Sequence, residues 1–227
     1  RHAQFSRGWA VIESLRPPSA YPPSMTHELI AAVDLGSNSF RLIVGRVEGD
    51  QIFAQDNLKE SVRLAAGLSP ERVLGQVAQA RGLVALRKFG ERLRGFDAHQ
   101  VRAVATNTLR VARNASDFIA HAERALGFPI EVVAGREEAR LIYLGVVHGL
   151  SDASNQQLVF DIGGGSTEFV IGRGFEPIRL ESLYMGCVSY SLRYFADGFV
   201  DKQSLREAEL AARRELDTIA HDYRKLG

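Results

Sequence analysis

Two stretches of the chain share one chemical outline. Ala31-Ala32-Val33-Asp34-Leu35-Gly36-Ser37-Asn38-Ser39-Phe40 is answered by Leu158-Val159-Phe160-Asp161-Ile162-Gly163-Gly164-Gly165-Ser166-Thr167-Glu168-Phe169. Each is an apolar run closing on Asp, then a turn of Gly and hydroxyl residues, then a second apolar run. Such turns gather successive backbone N–H groups into a concavity that holds an anion, and Ser or Thr hydroxyls add donors. The chemistry indicated is phosphate binding, by Gly36, Ser37, Asn38 and Ser39 in the first turn and Gly163, Gly164, Gly165, Ser166 and Thr167 in the second. Asp34 and Asp161 are placed to hold a divalent metal or its water shell, and Glu168, across its turn from Asp161, can share that ion. A plain tight hairpin accounts for one copy, because Asp and Gly suit turn geometry. Two copies with matching flanks favour a paired site.

Two further segments carry reactive groups. Arg136-Glu137-Glu138-Ala139-Arg140 falls at a strand-to-helix junction. Helix capping and pairing with the flanking arginines is the simpler account of these glutamates on spacing alone, and it leaves one of them over. A carboxylate beside a bound phosphate can instead take a proton from attacking water. Thr106-Asn107-Thr108-Leu109-Arg110 follows a strand, where open α/β sheets place ligands, and a planar guanidinium suits phosphate. A single Arg on a helix is equally well a solvated or ion-paired residue. The six histidines form no pair with metal-ligand spacing.

Elements that would position these groups follow from periodicity. Phe40-Arg41-Leu42-Ile43-Val44 and Glu168-Phe169-Val170-Ile171 are β-branched and apolar, so both turns join strand to strand, unlike a Walker loop or dinucleotide fingerprint, which feeds a helix. Gln51 to Ala54 continues as a strand, and Lys59 to Leu68 as a partly extended segment. Ser69 and Pro70 read as N-cap and first position of a helix whose apolar face holds Leu74, Val77, Ala78, Ala85, Phe89 and Leu93. Its basic face, with Arg81, Arg87, Lys88, Arg92 and Arg94, reads as solvated, since it lacks the aromatic interleaving of a nucleic-acid strip. Strands at Val101 to Ala105 and Ile130 to Ala134 alternate with helices at Thr108 to Leu126, stopped by Gly127, and at Glu137 to His148. After a polar link from Ser151 to Gln157 come the repeat hairpin, a strand at Ile178 to Ser182, a short helix at Gly186 to Phe195 and a long one at Lys202 to Leu226. The expected organisation is a leader at 1–24, disordered or from an extension, a first α/β lobe at 25–150 and a second at 151–227 with too few elements to be complete.

Apolar content of 45% with 24% charged residues is that of a globular chain, and a net charge of +1 gives no reason to expect nucleic acid as partner. No apolar run approaches a membrane span. The single Cys187 excludes an internal disulfide, fits a reducing compartment and reads by default as a small buried hydrophobe.

Together, Ala32 to Phe40, Ala105 to Arg110, Glu137 to Ile142, Asp161 to Glu168 and Met185-Gly186-Cys187-Val188 resemble the exopolyphosphatase and guanosine pentaphosphate phosphohydrolase family of the actin-like ATPase superfamily. The resemblance runs from about Ile30 to Gly227. It implies two ribonuclease-H-like lobes with mixed sheets, a cleft between them, a cytoplasmic setting and magnesium-assisted hydrolysis of a terminal phosphoanhydride, and it is compatible with a homodimer. It implies Glu138 as the general base, Asp161 and Glu168 as holders of metal and water with Asp34 facing them, both turns as phosphate grips and Arg110 on the chain. The substrate would be inorganic polyphosphate or, as the alternative, guanosine pentaphosphate. Gly165 resembles the exopolyphosphatase form, where the pentaphosphate hydrolases more often carry Ala. A further phosphate segment expected beyond the long helix is absent, which marks the second lobe as truncated. In other classes stand a superfamily kinase, for which no adenosine-binding segment is visible, and a non-catalytic polyphosphate-binding module.

Overall fold

The computed structural model describes residues 28–49, 51–150 and 154–226, so the expected leader at 1–24 lies outside the described residues. The first sheet has five strands, β1 (Glu28–Leu35), β2 (Ser39–Glu48), β3 (Gln51–Ser61), β4 (Val101–Ala105) and β5 (Ile130–Val132), in the order β3-β2-β1-β4-β5. The hairpins β1–β2 and β2–β3 are antiparallel, and β4 and β5 join in parallel. The mixed character follows from the sequence: tight turns connect the first three strands, and helices connect the rest. β1 is central and buried along most of its length, hence its near-continuous apolar run.

Helices α1 (Gln76–Arg92) and α3 (Ala115–Leu126) cover one face of this sheet. Leu86, Phe89 and Phe118 are fully buried there with Phe40 and Leu42. α1 begins later than its sequence suggests. Arg72 adopts a left-handed φ of 61°, and Ser69 receives its N–H and donates to Val73, so Ser69-Pro70-Glu71 closes a turn that brings Leu68 against Leu74. The N-cap is Gly75, and Val77 points to solvent. The basic face is ion-paired or solvated as expected, with Lys88 on Glu60 at 3.0 Å and Arg92 on Asp56. The helix expected over 108–126 is two, α2 (Asn107–Val111) and α3. Asn114 interrupts it: its side chain accepts from Leu74 N–H at 2.8 Å and donates to Leu74 C=O at 3.0 Å, a tertiary pairing that outweighs local helical propensity. Gly127 ends α3 in the left-handed conformation its position predicted.

The second sheet comprises β6 (Gln156–Ile162), β7 (Thr167–Arg173) and β8 (Glu176–Leu183). Among the described residues all its pairings are antiparallel, so the mixed sheet expected of this lobe is not what they form. Consecutive short turns are the reason, since a parallel strand requires a crossover. Helix α4 (Gly135–His148), which precedes the expected lobe boundary, packs on this second sheet, burying Ala139, Ile142, Tyr143 and Val147 against Val159 and Val170. Tyr143 Oη donates to Gly174 C=O at 2.9 Å. Helices α5 (Cys187–Tyr194) and α6 (Lys202–Arg224) complete the described chain. Asp201 caps α6, accepting from Gln203 and Ser204 N–H at 2.7 and 2.8 Å. α6 is lightly seated, with Ala208 and Ile219 as its buried side chains. The opposite face of β6 presents Leu158, Phe160 and Ile162 to solvent.

The first-lobe core therefore depends on aromatic packing between α1, α3 and the sheet. Phe118→Ala should cost about 3–5 kcal/mol of stability through lost burial and the cavity it leaves, measured as a fall in urea unfolding free energy.

Candidate active site

Register sets the site. In β1–β2 Asp34 stands opposite Arg41, and in β6–β7 Asp161 stands opposite Glu168, at the corresponding place in each hairpin. Opposed residues share a face of a sheet. Asp34 and Arg41 line a cleft of about 240 Å³ with Gly36, Ser37, Asn38, Ser39, Asp161, Ile162, Gly163, Gly164 and Cys187. The two repeated turns thus form its opposing walls.

Each turn is anchored by its carbonyl oxygens. Ser37 and Asn38 C=O accept from Ala65 and Arg63 N–H at 2.9 and 2.7 Å, while Gly163 and Gly164 C=O accept from Cys187 and Val188 at 2.9 Å. A planar peptide points its N–H opposite to its C=O, so the amides of Asn38, Ser39, Gly164 and Gly165 are turned away from these scaffolds. Ser37 Oγ is held in turn by Thr108, whose Oγ1 lies 2.8 Å away. The walls approach closely: a Cβ on Gly164 would stand 3.0 Å from Ser37 Cβ and 3.2 Å from the Asn38 nitrogen. A Cβ on Gly165 would stand 2.3 Å from Asn107 Oδ1, and one on Gly186 would stand 2.5 Å from the Gly164 carbonyl and the Gly165 nitrogen. A side chain at Gly186 would force the second turn off the start of α5, and one at Gly165 would displace the Asn107 side chain.

Beside the turns lies a buried polar cluster. Glu138, in the first turn of α4, is 3% exposed, and Arg110 from α2 donates to its Oε2 at 3.1 Å and to Val133 C=O at 2.8 Å. Glu168 is 1% exposed and accepts from Ser182 Oγ at 2.9 Å. Gly135 joins the two halves: a Cβ there would lie 2.9 Å from Ser182 Oγ and 3.5 Å from Arg110 Nη2. The neighbouring Glu137 has another partner. Arg140 grips it through two bonds of 2.8 and 2.7 Å, and this hydrogen bonding holds the Glu137 carboxyl below its ordinary range. Of the adjacent glutamates, the outer is spent on its own helix and the inner faces Arg110.

Asp34, Gly36, Ser37, Asn38, Ser39, Asp161, Gly163 and Gly164 thus come together in one cleft, with Gly165 and Ser166 buried behind it. Thr167 does not join them. Strand alternation turns it away from Glu168, and its Oγ1 donates to Met185 C=O beside an apolar groove. Sequence reasoning missed Arg41 and misjudged Cys187, which is exposed and lines the cleft. The register signal was present for Arg41, since it occupies the place in the first hairpin that Glu168 holds in the second. Magnesium takes one or two protein carboxylates and completes its shell with water and phosphate oxygens. Among the described residues no group of three or more His, Cys, Asp or Glu could form an all-protein cage, whereas Asp34 and Asp161 on facing walls, with Glu168 beside Asp161, match the sparser requirement.

The sequence profile of the Ppx/GppA phosphatase family matches residues 43–227. Solved structures agree. An exopolyphosphatase-like protein is 30% identical over 84% of this chain and 60% of its own, with a TM-score of 0.75. An exopolyphosphatase from Cytophaga hutchinsonii is 25% identical over 87% of this chain and 64% of its own, with a TM-score of 0.77. The Aquifex aeolicus PPX-GPPA enzyme is 25% identical over 86% and 64%, with a TM-score of 0.69. The chain spans 60–64% of the length of these relatives.

Two outcomes follow from the site's geometry. Gly186→Ala should cost about 1–3 kcal/mol of stability, since its Cβ would meet the Gly164–Gly165 peptide at 2.5 Å, read as a fall in urea unfolding free energy. For Glu137, the folded carboxyl lies below its ordinary value of 4.5, so its pair with Arg140 stabilises above that pH and is lost as pH falls through the lowered value. The pair is half-exposed, and Glu137→Gln should cost under about 1 kcal/mol at pH 7 and progressively less as pH falls through the lowered value, read from urea midpoints.

Proposed function

The chain belongs to the Ppx/GppA phosphatase family, and on that premise we propose that it is an exopolyphosphatase, removing the terminal phosphate of inorganic polyphosphate by metal-assisted hydrolysis. The observation that carries this reading is the pair of facing anion grips, with Asp34 on one wall and Asp161 on the other. The turn amides and hydroxyls bind the terminal phosphate and orient the phosphoanhydride. Asp34 and Asp161 would hold magnesium or its water shell, with the buried Glu168 supporting from beside Asp161, and the ion when bound would neutralise developing phosphate charge. Arg110 fixes one oxygen of the Glu138 carboxylate, and Glu138 takes a proton from water as the water oxygen bonds to the terminal phosphorus. The bridging P–O bond breaks, and orthophosphate leaves a chain shortened by one unit.

The inorganic chain is preferred in this reading because the cleft's lining among the described residues is Gly, Ser, Asn, Asp, Arg, Cys and one Ile, side chains and amides suited to phosphate oxygens. A cytoplasmic protein, free or as a homodimer, is the setting in which such a substrate would be met.

Phosphate release from polyphosphate, guanosine pentaphosphate and ATP distinguishes the readings. Polyphosphate should be the preferred substrate, EDTA should abolish release and magnesium should restore it. Glu138→Gln should lower kcat by about 10²- to 10⁴-fold with a smaller change in KM. Wild-type rates in Glu138→Gln would remove the general-base assignment. Release only with an added acceptor would identify a kinase, and binding without release a polyphosphate-binding module.

A further inference from the structure

Several polar side chains around the cleft are partnered within the protein. Ser37 Oγ meets Thr108 Oγ1, Thr167 Oγ1 donates to Met185 C=O, Ser182 Oγ donates to Glu168 and Arg110 binds Glu138. Thr106 Oγ1, Asn107 Nδ2 and Ser166 Oγ, by contrast, are buried without a hydrogen-bond partner among the described residues. A carboxamide NH2 shut away from water with no acceptor destabilises the empty protein, so its presence at a cleft points to a ligand that supplies the acceptor.

Asn107 is set apart by its place. It opens α2 two residues after Ala105, the end of β4, which pairs with Leu35 next to Asp34. Its amide is wedged where the two turns meet: a Cβ on Gly165 would lie 2.3 Å from Asn107 Oδ1, 3.0 Å from its Cγ and 3.3 Å from Ser37 Oγ. Asn107 thus occupies the space that Gly165 leaves by having no side chain. With Oδ1 against Gly165, the Nδ2 end of the same amide is left for an acceptor the protein does not supply. A phosphate held between the turns offers that acceptor in its oxygens, and a side-chain donor from the first lobe would add to the backbone amides of the second turn.

We propose that Asn107 is a substrate-contact residue, its Nδ2 donating to an oxygen of the terminal phosphate, and that Gly165 keeps open the space this amide needs. The two positions act as a pair: a side chain at 165 turns the Asn107 amide aside and removes the donor. This rests on the exopolyphosphatase reading for the phosphate and on burial and packing for the residues.

The test measures calorimetric binding of tripolyphosphate with magnesium, every variant being combined with Glu138→Gln so that the substrate persists, and urea midpoints without ligand. Asn107→Ala should weaken binding about ten- to a hundredfold, the loss typical of a hydrogen bond to a charged group. Gly165→Ala should weaken it to a similar degree with little change in urea midpoint, because the Asn107 side chain can rotate away from the new Cβ. The double variant should bind within about twofold of either single one, since both remove the same donor. Asn107→Leu, close in size and without polar ends, should lose affinity as Asn107→Ala does while its urea midpoint stays level or rises. Unchanged affinity in Asn107→Ala, or losses that multiply in the double variant, would overturn the contact. A lower midpoint in Asn107→Leu with unaltered affinity would make Asn107 structural and overturn it as well. If the chain with Glu138 intact releases no phosphate while this pattern of affinities holds, the hydrolytic reading falls and the Asn107 contact stands.

Discussion

The arrangement depends on how closely two backbones can approach. A phosphate gripped from both sides needs amide donors within hydrogen-bonding reach on facing walls, and a Cβ on either wall at the wrong place prevents it. Gly165 sits where a Cβ would strike the Asn107 side chain, and Gly186 where one would strike the peptide between Gly164 and Gly165. The first stops the second turn from being held away from α2. The second lets the start of α5 receive the turn's carbonyls through the N–H groups of Cys187 and Val188. Omission of two side chains thus does electrostatic work, because it permits fixed dipoles to face a common point before any substrate arrives.

Upon that shared backbone the two hairpins have been given different charges. Both keep Asp next to the end of the first strand, so two carboxylates line the cleft. Across the strand pair, one copy carries Arg41 and the other Glu168. Two acids on each wall would concentrate negative charge in the cleft. Replacing one acid by a guanidinium gives the cleft a polarity, with a cationic side at Arg41 and an acidic side at Asp161. Burial differs accordingly: Glu168 is enclosed and tied to Ser182, whereas Arg41 opens toward the cleft.

Much of this was legible because period and turn chemistry are local. The hairpins, the strand-helix alternation and the order of elements follow from apolar spacing, and the paired turns follow from repetition. What local reasoning misplaced was decided by distant partners. Ser69 has every mark of an N-cap, yet the left-handed Arg72 and the approach of Leu74 to Asn114 make it a turn residue. Thr167 looks like another hydroxyl of the second grip, but strand alternation, which reverses at the first residue of β7, sends it to Met185. Cys187 reads as a core residue and stands at the cleft instead, because its N–H is committed to Gly163. The adjacent Glu137 and Glu138 could be separated only once Arg140 was seen to occupy the first.

Helix α4 couples the two halves of the site. Its first turn is fixed to the first lobe, through the Arg110 bonds to Glu138 and Val133 and through Val133 N–H on Ala105 C=O at 3.0 Å. Its body belongs to the second lobe, where Tyr143 and Val147 are sealed against the sheet that carries Asp161 and Glu168. Glu138 and Tyr143 are little more than one turn apart on a rigid rod, so packing beneath Tyr143 sets where the Glu138 carboxylate stands relative to Asp161 and Glu168. Core packing on the second sheet therefore positions a carboxylate that is paired with the first lobe, and one helix joins the two halves of the site.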